Sequence, residues 1–214
     1  MENRKKRILE LGMACLLLTG IFWLSREGAR MVAREINPED FTVIVDAGHG
    51  GNDPGKVGVN QALEKDINLS VAKMVKEYLE KEGVEVVMTR QEDKGLYQEG
   101  SQNKKVEDMK NRVLLIHETQ PDCAVSIHQN SYPEEEVKGA QAFYYDDSAE
   151  GKRLAECIQE QMKARMDPEN NREAKGNTSY YLLKKTDCPL TIVEHYAIIR
   201  TNQRSLQLQG KILI

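Results

Sequence analysis

Two histidines and two glutamates, widely separated along the chain, have the side chains and the flanking sequence to build a hydrolytic site. His49 stands in Asp46-Ala47-Gly48-His49-Gly50-Gly51, where the apolar run Val43-Ile44-Val45 enters a glycine-rich turn. Glycines there allow close approach and unusual backbone angles, so the imidazole can be presented to a metal or substrate at a strand's end. Glu64 lies in Leu63-Glu64-Lys65-Asp66, His128 follows Val125-Ser126-Ile127, and Glu194 follows Leu190-Thr191-Ile192-Val193. Two histidines and one carboxylate suffice for an open zinc site with the fourth position left for water. A further glutamate outside the coordination shell would then be the general base.

Each residue also has a plainer explanation. His49 could be a turn histidine bonded to backbone, and His128 a polar residue closing a strand. Glu64 could be an exposed residue near a helix start, where its charge complements the macrodipole, and Glu194 a buried carboxylate paired with Arg or Lys. His117, in Leu114-Leu115-Ile116-His117-Glu118, reads as a partly exposed helix residue. His195 adjoins Glu194, but on a continuing strand it faces the opposite side. Arg90 and Arg112 are given no chemical role.

The elements that must position these groups are legible in the periodicity. Phe41 to Asp46 reads as a strand, Asp66 to Glu82 as a helix stopped by Gly83, and Val84 to Thr89 as a second strand, which makes a βαβ unit with a parallel pair. The pattern recurs with a helix over Lys104 to Thr119 and a strand over Cys123 to Ile127 that delivers His128. Strands are then expected over Gly139 to Tyr145, Tyr180 to Leu183 and Leu190 to Val193, with a helix over Ala149 to Met166. The predicted fold is a three-layer α/β sandwich with a mostly parallel sheet flanked by helices. His49, His128 and Glu194 lie just past strand ends, the edge at which open α/β sheets bind ligands.

The chain has 214 residues, enough for one ordinary domain and a short extra segment. Its net charge of −4 with charges of both signs gives no field for nucleic acid, so no nucleic-acid partner is expected. Of the four cysteines, Cys15 lies in the N-terminal apolar run. Cys123, Cys157 and Cys188 lack knuckle or redox spacing and read as buried free thiols. Arg4-Lys5-Lys6-Arg7 precedes a mostly apolar stretch from Ile8 to Leu24. Residues 1–27 are therefore expected to be a cytoplasmic basic flank with a signal anchor or signal peptide, attaching the chain to a membrane and exporting the remainder. Residues 28–40 read as a linker, and residues 41–214 as the catalytic domain.

The order of these motifs resembles the zinc-dependent N-acetylmuramoyl-L-alanine amidases, over roughly Phe41 to Glu194. The resemblance implies that His49, Glu64 and His128 bind Zn2+ and that Glu194 is catalytic. It implies hydrolysis of the amide between the lactyl group of N-acetylmuramic acid and L-alanine in peptidoglycan, at the extracytoplasmic face or in the cell wall. The minimal layout is similar to sporulation-associated members, which implies a role in muramic lactam formation in the spore cortex and in germination, and leaves room for a regulatory or deacetylase partner. After the glutamate the family continues with a small apolar turn and a closing helix, whereas this chain reads His195-Tyr196-Ala197-Ile198-Ile199-Arg200 and departs from that pattern. The C-terminal end is accordingly read as atypical or truncated. The competing readings are a catalytically inactive peptidoglycan-binding protein and a zinc peptidase acting on the stem peptide. The amino terminus released by cleavage separates them.

Overall fold

The structure, a computed structural model, describes residues 38–58, 61–129 and 139–195. The expected anchor segment, most of the linker and the tail read as atypical or truncated lie outside the described residues. Among the described residues no helix is long and apolar enough to cross a membrane.

The apolar run after Phe41 forms β1 (Thr42–Ala47), which pairs in parallel with β2 (Glu85–Met88) on one side and β3 (Cys123–Gln129) on the other. Strand β6 (Leu190–His195) adds to β3 in parallel. Strand β4 (Gln141–Tyr145) runs antiparallel to β6 and carries β5 (Lys175–Asn177) parallel to itself. The order is β2-β1-β3-β6-β4-β5, so the sheet is mostly parallel, as the alternation of strand and helix patterns predicts. Strand β5 was not expected, because Lys-Gly-Asn has none of the β-branched or aromatic residues that mark strands.

Side chains alternate across the sheet, and the two faces bury different helices. Val43, Val45, Ala47, Val86, Met88 and Ile127 pack on Ala72 of α1 (Glu64–Lys81). On that same face Ala140 and Ala142 meet Ala155 and Met162 of α3 (Ala149–Arg165). The opposite face presents Ile44, Ala124, Phe143, Leu190 and Ile192 to Ile116 of α2 (Lys104–Thr119) and to Leu182 and Leu183 of α4 (Tyr181–Lys185). Burial on both faces explains why β1 is a continuous apolar run rather than an alternating one.

Two sequence readings are corrected here. Tyr180 to Leu183 is not a strand but leads into α4, in which the consecutive Leu182 and Leu183 are 3% and 2% exposed. Asn177 Oδ1 accepts from the backbone N–H groups of Ser179 and Tyr180 (2.8 Å each), a side-chain turn that bends the chain into the helix. Cys157 is exposed, whereas Cys123 and Cys188 are partly buried. Burial pushes each of those two thiols up to about 11, which keeps them unreactive.

Helix α1 begins at Glu64, earlier than the periodicity suggests. Leu63, its N-cap residue, makes no side-chain cap bond. Instead Glu64 N–H donates to Lys56 O (2.9 Å) and Lys65 N–H to Pro54 O (3.2 Å). The free amides of the first turn are thus met by a neighbouring loop, a tertiary solution with no local sequence signature.

Candidate metal centre

The four residues singled out by the sequence meet at the carboxyl ends of β1, β3 and β6. His49 follows β1 in a left-handed conformation (φ 62°), between Gly48 and Gly50. His128 and Glu194 are register partners on the adjacent strands β3 and β6, so their side chains leave the same face of the sheet. Glu64 comes in from the first residue of α1. Its 2% exposure excludes the exposed helix-start explanation.

His49 Nε2 lies 3.1 Å from Glu64 Oε1, and His128 Nδ1 lies 3.2 Å from the same oxygen. One ligand atom from each of the three residues falls within 4.8 Å of the others. Separations of this size suit groups sharing one ion with bond lengths of about 2.0–2.2 Å. The imidazole rings meet edge to face with centroids 4.9 Å apart. Glu194 lines, together with His49, Asp53, Lys105 and His128, a cavity of about 400 Å³ over this group. A second cavity, about 160 Å³, extends from it past Met109, Tyr180, Leu182 and Ile192. His195 lines neither cavity, in keeping with strand alternation. His117 is exposed on α2, its Nε2–H donating to Lys185 O at 2.9 Å.

The glycines make room for these side chains. A Cβ on Gly48 would stand 2.3 Å from His128 Cε1, and one on Gly55 would stand 2.7 Å from both Glu64 Oε2 and His49 Cδ2. Gly48→Ala is therefore expected to displace the His128 ring and weaken zinc binding by at least the roughly 10–100-fold typical when a ligand's support is lost. A competition titration against a chromophoric chelator measures this, and an unchanged affinity would show that the ring is not held where it could ligate.

The ionisation states follow from the surroundings. Burial opposes the charge of Glu64, but hydrogen bonds and charge from His128 and His49 outweigh it and hold the carboxyl well below its ordinary range. Its Oε1 also accepts from Gln129 N–H (3.0 Å), and its Oε2 from Lys56 N–H (2.8 Å). Burial pushes Glu194 the other way, above its ordinary value, with Glu64 adding to the shift and the histidines opposing it. Two carboxylates in one site are thus pushed apart, one suited to holding a cation and one to exchanging a proton.

Side chains other than the four candidates hold the site together. Arg112 is 2% exposed, bonds to Asp46, and donates to Ala47 O (3.0 Å), His49 O (2.7 Å) and Asp108 Oδ2 (2.7 Å). Arg90 donates to Ala47 O (2.9 Å), Gly48 O (3.0 Å) and Lys65 O (2.7 Å). Together the two guanidinium groups collect the three consecutive carbonyls that lead through His49, so its left-handed backbone is held from both sides. Lys65 Nζ reaches Gly51 O (2.9 Å) and Asp93 (2.7 Å). Asn68 joins Gly48 O (3.2 Å) to Gln129, whose Nε2 donates to Asn68 Oδ1 (3.0 Å). Arg112 did leave a trace in the sequence, since it falls on the apolar stripe Met109, Val113, Ile116 where a charge needs a partner.

Residues 43–209 match the family model described as N-acetylmuramoyl-L-alanine amidase. The germination-specific N-acetylmuramoyl-L-alanine amidase of Bacillus subtilis (strain 168) is 37% identical over 155 residues, covering 71% of this chain and 65% of that protein. The match therefore spans slightly less than two thirds of that relative's length. The N-acetylmuramoyl-L-alanine amidase LytC of the same organism is 32% identical over 167 residues, covering 77% of this chain and 31% of LytC. Among solved structures, the CwlD amidase from Clostridioides difficile, determined in complex with the GerS lipoprotein, is 36% identical with a TM-score of 0.73. That match covers 81% of this chain and 90% of CwlD. Motif order, sheet topology and these likenesses agree, and the chain belongs to the N-acetylmuramoyl-L-alanine amidase family.

Proposed function

We propose that this chain is a zinc-dependent amidase that cleaves the bond between N-acetylmuramic acid and the L-alanine of the peptidoglycan stem peptide. The observation that carries the reading is the convergence of His49, Glu64 and His128 on one point, beneath a cavity that also holds Glu194. The donor set fits zinc, being two imidazoles and one carboxylate with a side open to solvent. His49 Nε2, Glu64 Oε1 and His128 Nδ1 would hold the ion. When bound, zinc supplies positive charge that lowers the pKa of water toward about 7 and polarises a carbonyl.

The remaining work falls to the chain's own groups. Glu194 takes a proton from the attacking water and delivers it to the departing amine nitrogen. The C–N bond breaks, leaving a carboxylate on the lactyl group and a free amino terminus on L-alanine. The raised pKa of Glu194, which burial produces, suits this transfer, because a carboxyl that holds a proton more readily is the better base for the water. The cavity past Met109, Tyr180 and Leu182 gives the substrate's flanking groups a wall to pack on.

The likeness to a germination-specific relative supports action on the spore cortex, with muramic lactam formation as the later use of the product. That setting puts the catalytic part outside the cytoplasm, held by the N-terminal apolar segment. The complex formed by the Clostridioides difficile relative supports a regulatory protein partner.

The test is digestion of purified peptidoglycan by the full chain, with labelling of new amino termini. Alanine termini that vanish with chelator and return with zinc are expected. Termini of another residue would indicate a stem-peptide peptidase. No termini from folded, zinc-loaded protein would indicate a binding protein.

A further inference from the structure

We propose that Asp53 is a positioning residue that fixes His49 as the Nδ1–H tautomer and so aims its Nε2 lone pair into the metal site. The inference rests on the metal-centre reading above and adds a residue to it. His49 Nδ1 lies 3.1 Å from Asp53 Oδ2, on the side of the ring away from Glu64. An ionised carboxylate only accepts hydrogen bonds, so the nitrogen facing it carries the proton.

Asp53 is itself held in place. Its Oδ1 accepts from Gly55 N–H at 3.0 Å. Its backbone N–H and C=O exchange hydrogen bonds with Gly50 at 3.2 and 3.0 Å, which closes the turn immediately after His49. The carboxylate and the ring thus belong to one small braced loop.

In the neutral ring the two nitrogens compete for one proton, and both face carboxylate oxygens. Glu64 Oε1 is already engaged by Gln129 N–H (3.0 Å) and Asn68 Nδ2 (3.4 Å). Among the described residues, the other group near Asp53 Oδ2 besides His49 is Lys105 Nζ, a long approach of 3.7 Å from a side chain 77% exposed. The less saturated acceptor takes the proton, which leaves Nε2 free to ligate. A carboxylate behind a metal-binding imidazole has this effect on tautomer and orientation in general.

The experiment uses the full chain as wild type, Asp53→Asn and Asp53→Ala. The His49 tautomer is read from ring 15N and 13C chemical shifts in metal-free protein at alkaline pH, and zinc affinity from competition with a chelator. Wild type is expected in the Nδ1–H form and Asp53→Ala in a mixture, with zinc affinity falling about 10–100-fold. Asp53→Asn keeps an acceptor oxygen and is expected to recover most of that loss, which a purely structural role for the charge would not produce. An Nε2–H ring in wild type, or equal zinc affinity in wild type and Asp53→Ala, would overturn the proposal. A wild-type chain with the Nδ1–H ring that binds no zinc would sink the metal-centre reading while supporting the role of Asp53.

Discussion

Replacing Glu194 with glutamine is expected to lower kcat/KM about 10²–10⁴-fold, the usual contribution of a general acid–base group, while zinc content and unfolding midpoint stay where they are. Glutamine has nearly the same shape and keeps the packing at the end of β6, but its amide cannot accept the water's proton. The residue lines the cavity over His49, Glu64 and His128, and it is the carboxylate there whose pKa is raised rather than lowered. Steady-state kinetics on peptidoglycan fragments, with metal analysis of the same samples, measures the effect. Loss of zinc in the variant would make Glu194 a ligand, and retained activity would move the base elsewhere. His195 is a poor substitute, since it points away from the cavity and burial lowers its pKa.

Arg112→Met is expected to destabilise the fold by about 3–5 kcal/mol, because it leaves Asp46 charged and buried without its partner. Asp46 is 1% exposed and bonds to Arg112, to Ser126 and to Thr89 (2.7 Å). Burial disfavours its charge, but Arg112 and the hydroxyl groups of Ser126 and Thr89 outweigh that and hold the carboxyl below its ordinary value of 3.8. A carboxyl with a depressed folded pKa stabilises fully above the unfolded value. Its contribution therefore stands above about pH 4 and is lost as pH falls from there through the folded pKa. Denaturant unfolding of wild type, Arg112→Met, Asp46→Asn and the double variant gives a cycle in which the two losses are strongly non-additive. Additive losses, or an Arg112→Met cost below about 1 kcal/mol, typical of a surface pair, would remove the ion pair from the account. Zinc affinity should fall in Arg112→Met as well, since the same guanidinium donates to His49 O.

Much of the frame was legible because it rests on local pattern. The β1, β3 and β6 runs are apolar on both faces, and their periodicity differs clearly from that of α1, α2 and α3. That His49, His128 and Glu194 converge could be read from strand ends alone, because a parallel sheet brings the carboxyl ends of β1, β3 and β6 to one edge, whereas Glu64 comes in from the first residue of α1. The start of α1 could not be read, since its first amides are met by Pro54 and Lys56 carbonyls rather than by a capping side chain. Strand β5 and helix α4 are short, and tertiary pairing and an Asn177 turn decide them against local propensity. Most of the supporting residues escaped for a similar reason. Arg90, Lys65 and Asp53 act through backbone carbonyls and a histidine brought near by folding, and charged residue types alone do not distinguish such roles from surface solvation.

The most direct measurement is a stepwise zinc titration of chelator-stripped full chain, following release of alanine amino termini from peptidoglycan at each addition. No release is expected without metal, with a rise that breaks at one ion per chain, and neither binding nor release in His128→Ala. Full release by the metal-stripped chain, or none from a folded chain loaded with one ion, would contradict a zinc-dependent site at His49, Glu64 and His128.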